Sequence, residues 1–327
     1  MDARGAALLQ PGIEPTLGAT VAAYSPRVRT LCPVKSRPTY AAGFDRLASR
    51  FGTYPLTAVR LVHLEQQRDE VRRQVGEAQV QRALRRRRQL RSYDADAHGH
   101  GAAENYVRAA RFFFSAAVKD ELLVVSPAAR LEAPIRPAAP ERALTEAELQ
   151  DLRRVAAETG RDPELDVLLI DFIRETAARR EGVLNLRRAH LHHRQRAVTL
   201  TEKRGSTRTL PLSGSTLSRL DSFSQGRGGI QPHDQVFRYH DGSPLTRRRF
   251  NSLFDRLDRH CDWSEQLDVG AHWIRHTTLT DIAAVSDLRV AQAYAGHKPG
   301  RHDVIEAYSH VEFDDLVAAY EQLFGPR

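Results

Sequence analysis

The sequence predicts a mainly α-helical protein with one small antiparallel β-sheet, an α+β chain. Three observations carry that prediction. Apolar residues recur at helical spacing through most of the chain. One stretch alternates and turns as a hairpin does: Ala197 to Thr201, then Lys203-Arg204-Gly205-Ser206, then Thr207 to Leu212. Pro134, Pro137 and Pro140 mark an extended linker, so the helical pattern divides into two domains.

Residues 1–38 carry Pro11, Pro15, Pro26, Pro33 and Pro38, and no period survives among them; they read as an irregular N-terminal arm. Residues 39–133 read as a helical domain. Val59 to Leu90 is amphipathic, a polar break follows at Asp94 to Gly101, and Asn105 to Leu123 places Val107, Ala110, Phe113, Phe114 and Ala117 near one face. The linker covers 134–144, with the boundary near 140, and residues 145–327 form the second domain. It opens on Thr145-Glu146-Ala147-Glu148, a capping box. Helices are expected at 146–158, 164–177, about 181–188, 214–223, 246–260, 276–285, 287–296 and 312–323, with Thr246 and Ser286 as N-caps and Trp263 and Trp273 in the core.

Lys and Arg number 49 against 41 Asp and Glu, a formal charge of +8 that points to a polyanionic partner. Only four of those cations are lysine; arginine recognises phosphate better, although codon bias alone also produces an Arg- and Ala-rich chain. Cys32 and Cys261 stand far apart, which excludes a disulfide scaffold and a cysteine zinc site and fits a reducing cytoplasm. No apolar run approaches the ~20 residues of a membrane span. A soluble, cytoplasmic protein is expected.

His272-Trp273-Ile274-Arg275-His276 sets a histidine and an arginine on one face of a helix. Alone that is a weak signal, and a surface helix with chance polar residues explains it as well. Its company changes the balance: Arg179-Arg180 at the end of an apolar helix, Lys203 on the hairpin tip, Ala295-Gly296-His297 at a helix end, and Tyr308 beyond it.

These residues resemble the tyrosine recombinase, or phage integrase, family. Thr176 to Arg187 resembles its first-arginine box, and Lys203 through Leu212 its lysine hairpin. His272-Trp273-Ile274-Arg275-His276-Thr277 is similar to the H-x-x-R-H box, Ala295-Gly296-His297 to the L-G-H box, and Ala307-Tyr308-Ser309-His310-Val311 to the nucleophile box. The resemblance covers about 176 to 311; residues 40–131 are similar to the family's core-binding domain in outline only. Two departures stand out. The family usually has a small residue and then a glutamate after the arginine pair, where this chain reads Glu181-Gly182; and the interval from His297 to Tyr308 is longer than the commonest version.

The resemblance implies a site-specific recombinase in which Tyr308 attacks the scissile phosphorus, giving a 3′-phosphotyrosyl link and a free 5′-hydroxyl. It implies that Arg179 and Arg275 grip the non-bridging oxygens, that Lys203 protonates the leaving oxygen, that His272 serves as base, and that His297 steadies the phosphate. Tyr294 and Tyr320 compete with Tyr308, Arg180 with Arg179, and Arg204 with Lys203; His276 reads as a local packing or hydrogen-bonding group. Because the ester conserves bond energy, no high-energy cofactor is expected; and because Arg179, Arg275, Lys203, His272 and His297 can replace a divalent metal electrostatically, no metal is expected either. Duplex DNA is the expected partner, bound by a homodimer on a core site and a homotetramer in the synapse, with an accessory DNA-bending or directionality factor as a further candidate and no membrane. Arg85, Arg86, Arg87, Arg88 and Arg204 are the candidate DNA-binding cations, against the alternative of a solvated face. Integration and excision of a mobile element is the leading role. Xer-like dimer resolution, a type IB topoisomerase-like relaxing enzyme and a non-catalytic DNA-binding protein are its rivals.

Overall fold

A computed structural model describes residues 18–86, 94–135, 142–202, 205–267, 269–296 and 311–327, with the backbone alone at 86, 262, 265 and 266. The chain forms two compact units, Met1–Ala139 and Pro140–Arg327.

The first unit is helical: α1 (Val21–Leu31), α2 (Arg37–Phe51), α3 (Leu61–Arg86) and α4 (His100–Lys119). Tyr24, Phe44, Leu47, Tyr106, Phe113 and Phe114 are buried together in its core. The expectation of an irregular arm through residue 38 fails at α1. Val21, Tyr24 and Val28 are buried on one face, and the first free N–H groups of the helix donate to the carbonyls of Tyr54 and Gly52, both at 3.0 Å. The Tyr24 hydroxyl donates to Asp120 at 2.8 Å, and the Arg27 guanidinium reaches the same carboxylate at 3.3 Å. Burial therefore outweighs Pro26, which lies inside α1, while Pro33 falls just past its end and Pro38 sits in the first turn of α2, positions where proline does no harm.

The second unit begins with α5 (Glu146–Glu158) and α6 (Pro163–Thr176), followed by the short α7 (Arg180–Leu184). A three-stranded antiparallel sheet follows in the order β1 (Leu191–His192), β2 (Ala197–Thr201) and β3 (Thr207–Pro211), with Leu200 opposite Arg208 and Thr201 opposite Thr207. Then come α8 (Gly214–Gly226), α9 (Arg247–His260), α10 (Asp262–Leu267), α11 (Ala271–Val285), α12 (Leu288–Ala295) and α13 (Phe313–Phe324). Leu169, Phe172, Val198, Leu210, Leu220, Phe237 and Ile274 form one core beneath these elements.

Three local expectations are corrected. The helix read over 181–188 stops at Leu184, because Leu186 and Arg188 spend their backbone hydrogen bonds on Val236 and Asp234. Asp287, not Ser286, caps α12; its carboxylate accepts from the N–H groups of Arg289 and Val290 at 2.8 and 2.9 Å, while the Ser286 hydroxyl donates back to Ile282. Trp263 and Trp273 are only partly buried, packed against the core rather than inside it.

Much of the arginine is internal. Arg227 pairs with buried Asp162 at 2.6 Å, and Arg249 and Arg256 converge on the fully buried Asp166. The Thr145 capping box forms as read, with the Thr145 hydroxyl accepting from the Glu148 N–H at 3.2 Å and the Glu148 carboxylate from the Thr145 N–H at 2.8 Å. Thr145→Ala is expected to cost about 1 kcal/mol of stability, measured by denaturant unfolding with an unchanged slope. No helix among the described residues is long and apolar enough to cross a membrane.

Candidate active site

The site is assembled where three elements end. At the close of α6 the chain turns sharply at Ala177, which has a left-handed backbone (φ 47°) although it carries a side chain and is fully buried. That conformation costs roughly 1–2 kcal/mol for an L-residue. It is held in place by two guanidiniums: Arg275 Nη1 and, at 3.0 Å, Arg208 Nη2 both donate to the Ala177 carbonyl. The turn delivers Arg179 as the extended cap residue of α7, with a little over a third of its side chain exposed (37%).

The helix expected at 276–285 begins earlier, at Ala271, so His272 and Arg275 both lie near its amino end. Arg275 is buried, 2% exposed, and its Nη2 donates to the Ala295 carbonyl at the end of α12, at 2.9 Å. The same side chain thus ties the end of α6 to the end of α12. His272 stays exposed at the surface of the same helix. What burial it has, together with Arg275, His276 and Arg179, pushes its imidazole below the ordinary histidine value. That shift favours the neutral imidazole at pH 7.

The hairpin contributes two side chains that the motif reading passed over, Glu202 and Arg208. The Glu202 carboxylate accepts from Arg179 Nη1, from the Arg179 backbone N–H at 3.3 Å, and from Arg208 Nη2 at 2.9 Å. Its side chain is 5% exposed and that of Arg208 8%. Burial works to raise the Glu202 carboxyl, but Arg208 and Arg179 outweigh it and hold the group below the usual carboxylate range. Burial also draws Arg275 down, with Arg208 and Arg179 adding to the effect, to about 9, still cationic at neutral pH. Two guanidiniums, those of Arg179 and Arg208, meet on this carboxylate, Arg275 joins Arg208 on the Ala177 carbonyl, and among the described residues the Nε and Nη1 of Arg208 are buried without a partner. The strand period could have exposed both residues. Val198, Leu200 and Glu202 share one face, as do Arg208 and Leu210, so Glu202 and Arg208 continue a buried stripe.

Gly296 ends α12 with φ 66°, and a Cβ there would stand 2.9 Å from Arg208 Cδ. Glycine is required twice over, by the backbone and by the arginine lying across it. The amino end of α11 adds the partial positive charge of unsatisfied N–H groups. Such a place suits an anion with oxygens on several sides.

Of the candidate residues, Arg179 and Arg275 are brought to this cluster, with His272 beside them. Lys203, Arg204, His297 and Tyr308 lie outside the described residues, as do Arg87, Arg88 and the Arg86 side chain; Arg85 is exposed near the end of α3. Both rival tyrosines are committed elsewhere. Tyr294 is fully buried and donates to the Glu175 carbonyl, while Tyr320 donates to the Glu175 carboxylate and accepts from the Ser213 N–H at 3.0 Å. Burial first, then the neighbouring Glu175 and, for Tyr294, Tyr320, pushes both phenols well above their ordinary range.

Comparison with known proteins agrees with this architecture. The family model of the phage integrase family matches residues 142–314. A tyrosine recombinase XerD from Halalkalibacterium halodurans is 26% identical over 228 residues, covering 68% of this chain and 74% of that protein. Among solved structures, a lambda integrase dimer bound to a core site superposes with a TM-score of 0.62 at 13% identity, covering 90% of this chain and 99% of that one. A lambda integrase tetramer bound to a Holliday junction gives 0.63 at 13% identity, over 90% and 81%. The Tn1549 transposon integrase in complex with transposon right-end DNA gives 0.63 at 18% identity, over 93% and 99%.

Proposed function

The chain belongs to the phage integrase family, and from that premise we propose that it integrates and excises a mobile element, through a 3′-phosphotyrosyl bond to duplex DNA. It is a tyrosine-type site-specific DNA recombinase. The observation that carries the mechanistic reading is the linked set of Arg179, Arg208 and Arg275, the first two paired with Glu202 and the last two sharing the Ala177 carbonyl, built within the residues matched to the family.

In this reading the Tyr308 oxygen attacks the scissile phosphorus, the P–O5′ bond breaks, and the 5′-oxygen leaves with a proton from Lys203. Arg179 and Arg275 meet the negative charge that gathers on the non-bridging oxygens. His272 enters neutral and takes the phenolic proton, and His297 hydrogen-bonds the phosphate. Rejoining runs the same steps backwards with a new 5′-hydroxyl. The ester stores the bond energy, so the cycle draws on no high-energy cofactor. By analogy with the lambda integrase assemblies, two protomers occupy a core site and four form the synapse, acting on DNA in the cytoplasm. Arg85 and its neighbours supply phosphate contacts in the first unit. The likeness to XerD favours resolution of chromosome or plasmid dimers as the second reading.

The test is a nicked suicide duplex taken from the DNA flanking the coding sequence, incubated with the protein in a chelating buffer and run on a denaturing gel. A covalent protein–DNA adduct is expected. Its absence from every such duplex, with binding intact, would overturn the recombinase reading.

A further inference from the structure

Resting on the recombinase reading, we propose that Glu202 is the positioning residue of the cleavage site, and that the carboxylate which orients Arg179 is carried by the lysine hairpin rather than by the helix Arg179 begins. The helix has a carboxylate of its own, but it is turned elsewhere: Glu181 pairs with Arg247 at 2.5 Å, on the more exposed side. The following residue is Gly182, and a Cβ built on it lies 3.4 Å from both Cγ and Oε1 of Glu202. The space a side chain at 182 would use is therefore the space Glu202 fills. The reversed order Glu181-Gly182 and the buried Glu202 are two halves of one arrangement.

Glu202 is fixed from both sides. Its backbone closes the hairpin, donating to the Ser206 carbonyl at 2.8 Å, and Val198 and Leu200 anchor the same strand face in the core. One carboxylate oxygen takes the Arg179 backbone N–H and Arg208; the other takes the Arg179 guanidinium. A side chain more than a third exposed is thus aimed by one that is almost wholly enclosed. Lys203 is the next residue in the chain, so the hairpin that carries the proposed acid also sets the orientation of the phosphate-binding arginine. Glu202 touches no reacting atom. It acts through Arg179, with Arg208 as the second cation that keeps it ionised.

The experiment moves the carboxylate. Glu202→Gln, Glu202→Ala and the double variant Gly182→Glu/Glu202→Ala are compared with wild type in single-turnover cleavage at saturating protein, in DNA binding and in thermal melting. For both single variants the cleavage rate constant is expected to fall by about 100-fold, the scale of a misplaced catalytic group, with DNA affinity unchanged. The double variant is expected to recover most of the rate and the melting midpoint lost in Glu202→Ala. Wild-type cleavage by Glu202→Gln, or a double variant no better than Glu202→Ala in both measurements, would overturn the proposal. Wild-type protein that forms no adduct would instead sink the recombinase reading, while the melting comparison still decides where the carboxylate can sit.

Discussion

Tyr308→Phe protein is expected to bind its DNA and form no covalent adduct, a loss of at least about 10⁴-fold on the scale of nucleophile deletions. The substitution keeps the ring and removes one oxygen, so packing is held constant while the attacking atom disappears. A free phenol has a pKa near 10, so to act as a nucleophile at pH 7 it needs either a base or a strongly cationic pocket. The two tyrosines nearest in sequence are poor substitutes. Tyr294 is fully enclosed and both hydroxyls are engaged with Glu175, which sits at the end of α6 and holds them as structural struts. Their phenols are pushed up, away from ionisation, rather than down towards it. An adduct that survives the Tyr308→Phe substitution, mapped by peptide sequencing, would transfer the role to another tyrosine.

Arg275→Ala is expected to slow single-turnover cleavage by a factor corresponding to about 3–4 kcal/mol of barrier, as for removal of an oxyanion donor. The geometry adds a second component. Arg275 holds the carbonyls of Ala177 and Ala295, so its removal also loosens the turn that presents Arg179. Arg275→Lys should therefore rescue little, because an ammonium is a point charge and cannot span two carbonyls and a phosphate with one planar fork. Cleavage and melting measured together separate the two contributions: the rate should fall further than the stability loss alone explains. Cleavage by Arg275→Ala within a few-fold of wild type would remove that arginine from the phosphate site.

The second unit was legible in the sequence wherever a local rule governs it. The capping box at Thr145, the 3.6-residue period of α5, α6 and α13, and the hairpin at Ala197 to Leu212 are each decided by neighbours in the chain, and each forms at or near the expected place. Motif order singled out Arg179 and Arg275, and the fold brings these two into one linked set through Arg208 and the Ala177 carbonyl. What stayed hidden depends on contacts between distant segments. The α1 helix survives an internal proline because Val21, Tyr24 and Val28 are buried and its first N–H groups find Gly52 and Tyr54. The arginine count overstated the DNA-facing surface, since Arg227, Arg249 and Arg256 neutralise buried aspartates within the fold. Glu202 and Arg208 went unseen because a hairpin is read for its turn; the alternation here already places them on the inner stripe, but the pairing of Glu202 with Arg208 and with Arg179 appears only on folding.

Arg208, on a strand, and Arg275, on a helix, rest on the same oxygen, the carbonyl of Ala177. That single atom is a common datum for segments far apart along the chain. If the peptide plane between Ala177 and Ala178 rotates, both cations lose their reference together, and a shift of either one is passed to the other through it. The relative placement of Arg208 and Arg275 accordingly rests on one peptide bond, and a backbone that must hold so much is poorly placed to tolerate a more pliable residue.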